Sequence, residues 1–344
     1  MDGPIRRRFS AVPALLVALA LGPLAACGSD PDPDQSGTSG TPGAATADPS
    51  GPDLPPEGVE VERVGSGPVG VGDVDGEAWS VLPQTASVRP GSGPEIEVGG
   101  TPLRLVATPA GTWVSDIARG RLVRIDPDSG RVDRRVRVPP APGAEVAEPE
   151  GLAFDGRRVW VVDQAGDRVL PLDPRSGRLG TPVPVGDGPR LVSAGASGIW
   201  VGNFLAGSVS RVTDGRARTE VVDGCRSPQG LVGAGGLVWV ACTREGRVVA
   251  LDPQDLSVTS TVEGPVAADA VVAEGDRVHV VGQEGPTVHT IDTGTGEVLG
   301  ELTLDRAPVT RENVDAAIVG DRLVVTHPEI QKIYRVPLAL LSGG

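Results

Sequence analysis

Eight polar side chains carry the chemistry this 344-residue chain has to offer: Asp116, Glu150, Asp163, Arg190, Asn203, Gln229, Asp269 and His327. They stand at two fixed offsets from a recurring tryptophan position. Glu150, Arg190, Gln229 and Asp269 lie ten residues before it, and Asp116, Asp163, Asn203 and His327 lie three after. Their hard oxygens suit Ca²⁺ or Mg²⁺, and the mixed charges suit a polar ligand. The same residues also fit a solvated rim of turn-forming Asp and Asn. The chain has three histidines. Of these only His327 shares the offsets; His279 occupies the tryptophan position itself and His289 a neighbouring strand, and both read as packed structural residues. There is no nucleophile elbow, phosphate-binding glycine loop, His-rich metal motif or cysteine zinc pair. No catalytic residue is assigned.

The elements that must position these groups repeat along the chain. Tryptophan-bearing strands occur at Glu77-Ala78-Trp79-Ser80-Val81, Gly111-Thr112-Trp113-Val114-Ser115, Arg158-Val159-Trp160-Val161-Val162, Gly198-Ile199-Trp200-Val201-Gly202 and Leu237-Val238-Trp239-Val240-Ala241. Arg277-Val278-His279-Val280-Val281 and Arg322-Leu323-Val324-Val325-Thr326 continue the series with the tryptophan replaced. The steps of 34, 47, 40, 39, 40 and 45 residues match one four-stranded propeller blade each. Twelve residues after the tryptophan position an apolar residue closes the next strand (Ile125, Leu172, Val212, Leu251, Ile291, Val336). Turn sequences such as Asp126-Pro127-Asp128-Ser129-Gly130 and Asp173-Pro174-Arg175-Ser176-Gly177 often follow, with proline setting φ and glycine taking positive φ.

Each unit therefore reads as strand A before the tryptophan, B bearing it, C after it and D beyond the turn. The fold expected is all-β, a seven-bladed β-propeller over residues 59–344. The last unit runs out of chain after its third strand. Val59-Glu60-Val61-Glu62-Arg63-Val64 alternates with period two and is predicted to supply the missing outer strand of blade 7, covering an edge that would invite aggregation. In this arrangement the starts of strand A and the ends of strand B share the top face, so the eight side chains are predicted to converge on one central funnel. Insertions at 139–148 and 305–312 fall in D–A connections of the same face, where repeat proteins often place binding.

The beginning of the chain has a different character. Arg6-Arg7-Arg8-Phe9 precedes an apolar run from Ala11 to Ala26, interrupted by Pro13 and Pro23, and then Cys27. That order is a signal peptide over residues 1–26, too short for a membrane span. Leu24-Ala25-Ala26-Cys27 resembles the lipobox of bacterial lipoproteins. The resemblance implies a diacylglycerol on Cys27, cleavage before it, and a cell-membrane location on the extracytoplasmic side. The arginine cluster partly resembles a twin-arginine signal, and the export route stays open. Residues 27–58, rich in Gly, Ser, Thr, Pro and Asp, have almost nothing to bury and are expected to form a disordered tether with a reach of roughly 30 Å. In an oxidising compartment Cys225 and Cys242, both at the top of blade 5, are expected to form a disulfide.

The net charge is −14, and about −16 once Asp2 and three arginines leave with the signal peptide. Such a surface repels phosphate backbones and anionic lipid, so nucleic acid is not an expected partner and membrane contact should run through the lipid. A monomer is expected.

The pattern Pro149-Glu150-Gly151-Leu152-Ala153, then Val159-Trp160-Val161, then Arg168-Val169 resembles the streptogramin (virginiamycin B) lyase group, and more broadly the NHL and YVTN-type repeat families. The resemblance implies the fold over residues 59–338. It implies activity only if a strand A start is His and strand B ends are Glu holding Mg²⁺, and neither condition is met here. The expectation is a tethered, non-enzymatic propeller that binds a ligand or protein through its top face; a metal-dependent hydrolase or lyase using the funnel is the alternative.

Overall fold

Short valine-rich runs alternate with glycine-bearing turns, and each run forms a strand. The computed structural model describes residues 54–195, 198–309 and 313–341. Within them the strands gather into seven antiparallel four-stranded sheets. Residues 1–53, on which the expected signal peptide, Cys27 and most of the expected tether fall, lie outside the described residues. The blades span residues 71–97, 102–137, 149–184, 189–221, 228–263 and 268–303, and the seventh combines 315–337 with the N-terminal strand Glu60–Arg63. The predicted register holds throughout: strand B of blade 3 is Val159–Asp163, of blade 4 Gly198–Asn203, of blade 5 Leu237–Cys242.

Ring closure follows the expected route. Glu60–Arg63 pairs antiparallel with Lys332–Pro337, Val61 opposite Tyr334 and Glu62 opposite Ile333. Glu62 then accepts from Arg335 at 3.0 Å in blade 7 and pairs with Arg89 of blade 1, bridging the seam. Each strand A touches strand A of both neighbours around the whole ring. The approach is close enough that a Cβ on Gly151 would lie 2.6 Å from the carbonyl of Arg190, and one on Gly230 2.2 Å from that of Asp269. Only glycine fits there, which accounts for the Gly in Pro149-Glu150-Gly151 and Pro228-Gln229-Gly230.

Blade-to-blade packing uses the tryptophans. Trp113, Trp200 and Trp239 are fully buried. Trp113 donates Nε1–H to the Pro174 carbonyl in the C–D turn of the next blade, and Arg124 stacks on its ring while donating to Pro174 and Arg175 carbonyls. Arg211 repeats the device over Trp200, donating to Pro253 of blade 5 at 2.7 Å. The turns themselves are self-capped. Asp126 accepts from Ser129 N–H at 2.9 Å, Asp173 from Ser176 N–H and Asp292 from Thr295 N–H at 2.7 Å, and these hydrogen bonds hold all three carboxyls below their usual range. His279 is buried in the tryptophan slot of blade 6, bonded through Nδ1 to Thr290 Oγ1 at 2.9 Å, as the sequence reading expects of a packed residue.

Candidate functional site

The two sequence offsets separate into two different structures. Strand B of each blade ends where the B–C hairpin meets the incoming D–A loop. In five blades the backbone N–H just past that end donates to the D–A loop sixteen residues earlier: Ile117 to Thr101, Gln164 to Glu148, Phe204 to Gly188, Thr243 to Ser227 and Gln283 to Ala267. The side chain at the strand end reinforces this junction. Asp116 is fully buried, accepts from Thr101 N–H at 2.9 Å and from Arg121 Nε at 2.7 Å. Asp163 does the same with Glu148 N–H and Arg168 Nε, both at 2.8 Å. Asn203, also fully buried, donates to Ser208 Oγ at 3.0 Å and Ser210 Oγ at 2.9 Å. In blade 5 the position is Cys242, bonded to Cys225 of the D–A loop. The expected disulfide is thus present and stands where blades 2 and 3 use a carboxylate.

These contacts engage two of the funnel candidates elsewhere: Asp116 and Asp163 each clamp two loops of their own blade. Asn203 bonds strand C of its own blade instead, and its buried Oδ1 has no hydrogen-bond partner. His327 is likewise fully buried, with Nε2–H donating to the Gln283 carbonyl at 3.1 Å. Burial holds its imidazole below the usual range, so it is neutral at pH 7.

The strand A set does gather on the axis. Arg190 of blade 4 pairs with the buried carboxylate of Glu150 in blade 3 at 3.4 Å, and Asn313 of blade 7 reaches the other oxygen of Glu150 at 3.4 Å, from well around the ring. Asp269 is fully buried and accepts from Val314 N–H at 2.9 Å and Gln283 Nε2 at 3.0 Å. Burial pushes its carboxyl up to about 6, against the attraction of Gln283, Arg104 and Arg190. Gln229 sits buried in the neighbouring blade.

Two further axial residues escape the sequence register. Arg104 of blade 2 approaches Asp315 of blade 7 at 3.7 Å, and Asp315 also accepts from Val71 N–H at 3.1 Å. Burial raises the Asp315 carboxyl too. Both lie one position beyond the counted offset. The register shifts between Pro102 and Leu105 at the start of strand A, as it does in blades 3 to 6, whereas strand A of blade 7 begins only at Asp315. The sequence signal was a charged residue next to each apolar choice, Leu103 and Val314.

Among the described residues no three His, Cys, Asp or Glu side chains gather as a metal site. The arginines interleaved between the axial carboxylates set that arrangement apart from an all-oxygen cation cage. A groove of about 1000 Å³ lies off the axis between the outer parts of blades 3 and 4, lined by Asp155, Trp160, Pro171, Arg178 and Val183. On the rim of the top face, Val146, Leu205, Val221, Val266 and Val309 are exposed, and Phe204 is held between the guanidinium groups of Arg190 and Arg244, 5.2 and 5.1 Å from its centre.

Residues 205–336 match the sequence profile PQQ_2, described as outer membrane protein assembly factor BamB. No curated protein matches the chain. Among solved structures, a streptogramin B lyase superposes with a TM-score of 0.68 at 15% identity, covering 80% of this chain and 97% of that one. A catalytically inactive virginiamycin B lyase from Staphylococcus aureus, with quinupristin, gives 0.68 at 13% identity over 80% and 98% of the two chains. The computationally designed Ika8 protein gives 0.56 at 13% identity, over 77% and 81%. The chain is a seven-bladed β-propeller that resembles virginiamycin B lyase in fold, closed by its own N-terminal strand.

Proposed function

We propose that this protein is a non-enzymatic binding propeller, tethered by lipid on Cys27 to the extracytoplasmic side of the cell membrane, that engages its partner through the top face. The observation that carries the reading is the distribution of exposed apolar side chains. Val146, Leu205, Val221, Val266 and Val309 stand on top-face loops or at the strand ends that lead into them, whereas Val298, Leu299 and Leu340 stand at the opposite end and Val61 within an outer strand. Large apolar groups clustered on one face favour association. Phe204, stacked by two arginines, adds a rigid aromatic edge of the type that anchors interfaces. The carboxylates that could have done chemistry at the strand B ends are consumed by the loop clamps. The acidic balance of the chain supports a partner other than nucleic acid, and nothing in the reading requires a second copy.

Photo-crosslinking in cells tests the face. A photoreactive residue at position 205 or 266 should form discrete adducts, and one at position 298 should not. Equal labelling at all three, or adducts at 298 alone, would overturn the assignment. The tether is tested by fractionation: Cys27→Ser should move the protein from the membrane to the soluble fraction, and full retention in the membrane would refute the anchor.

A further inference from the structure

The axial cluster holds five buried polar atoms with no hydrogen-bond partner: Nε and Nη2 of Arg104, Nε2 and Oε1 of Gln229, and Oδ1 of Asp269. They come from blades 2, 5 and 6, and their residues are at most 5% exposed. Leaving such atoms unpaired is costly, and native proteins rarely do so without a reason. Their pairing in one place is specific. Arg104 offers a two-nitrogen fork, which suits a carboxylate. Asp269 offers an anionic acceptor, which suits an ammonium. Gln229 offers one donor and one acceptor beside Asp269.

The interleaving of charges of both signs in the cluster argues in the same direction. Arg104 and Arg190 face Glu150, Asp269 and Asp315. A lone anion would meet three carboxylates, and a lone cation would meet two guanidinium groups. A molecule carrying both charges satisfies each without adding net charge. The side chains of Arg190 and Asp315 are 28% and 18% exposed, whereas Gln229 and Asp269 are buried. Arg104 approaches Asp315 at 3.7 Å without a hydrogen bond and donates Nη1 to the Leu103 carbonyl at 3.1 Å, which leaves its Nε–Nη2 edge to take a carboxylate.

We propose that the top of the central axis is a binding pocket for a small zwitterion of amino-acid type, with Arg104 taking its carboxylate and Asp269 with Gln229 taking its ammonium. This deepens the binding reading above and rests on it for the non-enzymatic role.

The test is thermal unfolding of the detergent-solubilised full chain at pH 7.5, titrated with glycine, L-alanine, L-serine and L-glutamine, and with acetate and methylammonium as single-charge probes. At least one zwitterion should raise Tm saturably, and the single-charge probes should not. Gln229→Leu, which removes two unpaired polar atoms, should keep a Tm at or above the parent and lose the response. Asp269→Asn should lose it as well, and Arg104→Gln should weaken apparent affinity at least tenfold. The proposal falls if none of the four zwitterions shifts Tm, if acetate or methylammonium shifts it equally, or if the response survives in Gln229→Leu. Crosslinking at positions 205 and 266 is read separately, so a silent pocket with labelled loops would sink the pocket alone.

Discussion

His279 shows how a single substitution in a repeat changes the molecule's response to pH. Where three blades bury a tryptophan completely, blade 6 buries an imidazole, and burial lowers its pKa to about 4. The unfolded chain binds a proton near pH 6.5, and the folded chain resists until about pH 4. Stability from this group is therefore full above pH 6.5 and is lost as pH falls toward 4. His289 and His327 are shifted in the same direction by burial. Asp269 acts with the opposite sign. Its folded carboxyl titrates near 6 against an ordinary value of 3.8, so it removes stability as pH rises from about 4 to 6. The expected outcome for His279→Val is a shallower loss of Tm between pH 6.5 and 4, measured by thermal unfolding across that range; an unchanged acid limb would mean that the imidazole is protonated in the fold. His279 as a packed residue was legible from the tryptophan series. The elevation of Asp269 was not, because it depends on how completely neighbouring blades exclude water.

At the scale of the element, the junction between the B–C hairpin and the D–A loop is the recurring unit of construction. Asp116 and Asp163 each tie a backbone N–H of one loop to an arginine at the start of strand C. Blade 5 makes the tie covalent through Cys225 and Cys242, 17 residues apart. Asp163→Ala strands Arg168 and the Glu148 N–H, and breaking a buried pair in this way costs about 3 kcal/mol. Chemical denaturation should show that loss with an unchanged m-value; a loss under about 0.5 kcal/mol would count the clamp as dispensable. Replacing both cysteines by serine should cost a comparable amount, about 3 kcal/mol on loop-entropy grounds. The disulfide was legible from the register, which puts Cys225 and Cys242 at the top of one blade. The carboxylate clamps were not distinguished from a ligand funnel, since the offset shows which end of strand B a side chain occupies and not which way it turns.

At the scale of the whole molecule, stability depends on closing the ring. Glu60–Arg63 covers the edge of Lys332–Pro337, and Glu62 holds blade 7 to blade 1 through Arg335 and Arg89. Deleting residues 59–64 should expose that edge, lower Tm and produce concentration-dependent oligomers in light scattering, because an open strand edge pairs with other chains. A monomer of unchanged stability would show that the seam is held by blade packing alone.

The sequence by itself determined the number of blades, the order of strands within each, the closing strand and the cysteine pair. These are local matters of period, turn chemistry and apolar alternation, and they repeat often enough to check one another. Only the tertiary structure decided the site. Whether Asp116 and Asp163 face the axis or their own loops, and whether Arg104 or Leu103 meets a carboxylate across the ring, depends on contacts between loops and between distant blades that spacing along the chain does not encode. The eight polar residues that stand together at two offsets in the sequence are in the folded chain two sets: one bonded to neighbouring loops and strands at the ends of strand B, and one, joined by Arg104 and Asp315, that carries the ion pairs between blades.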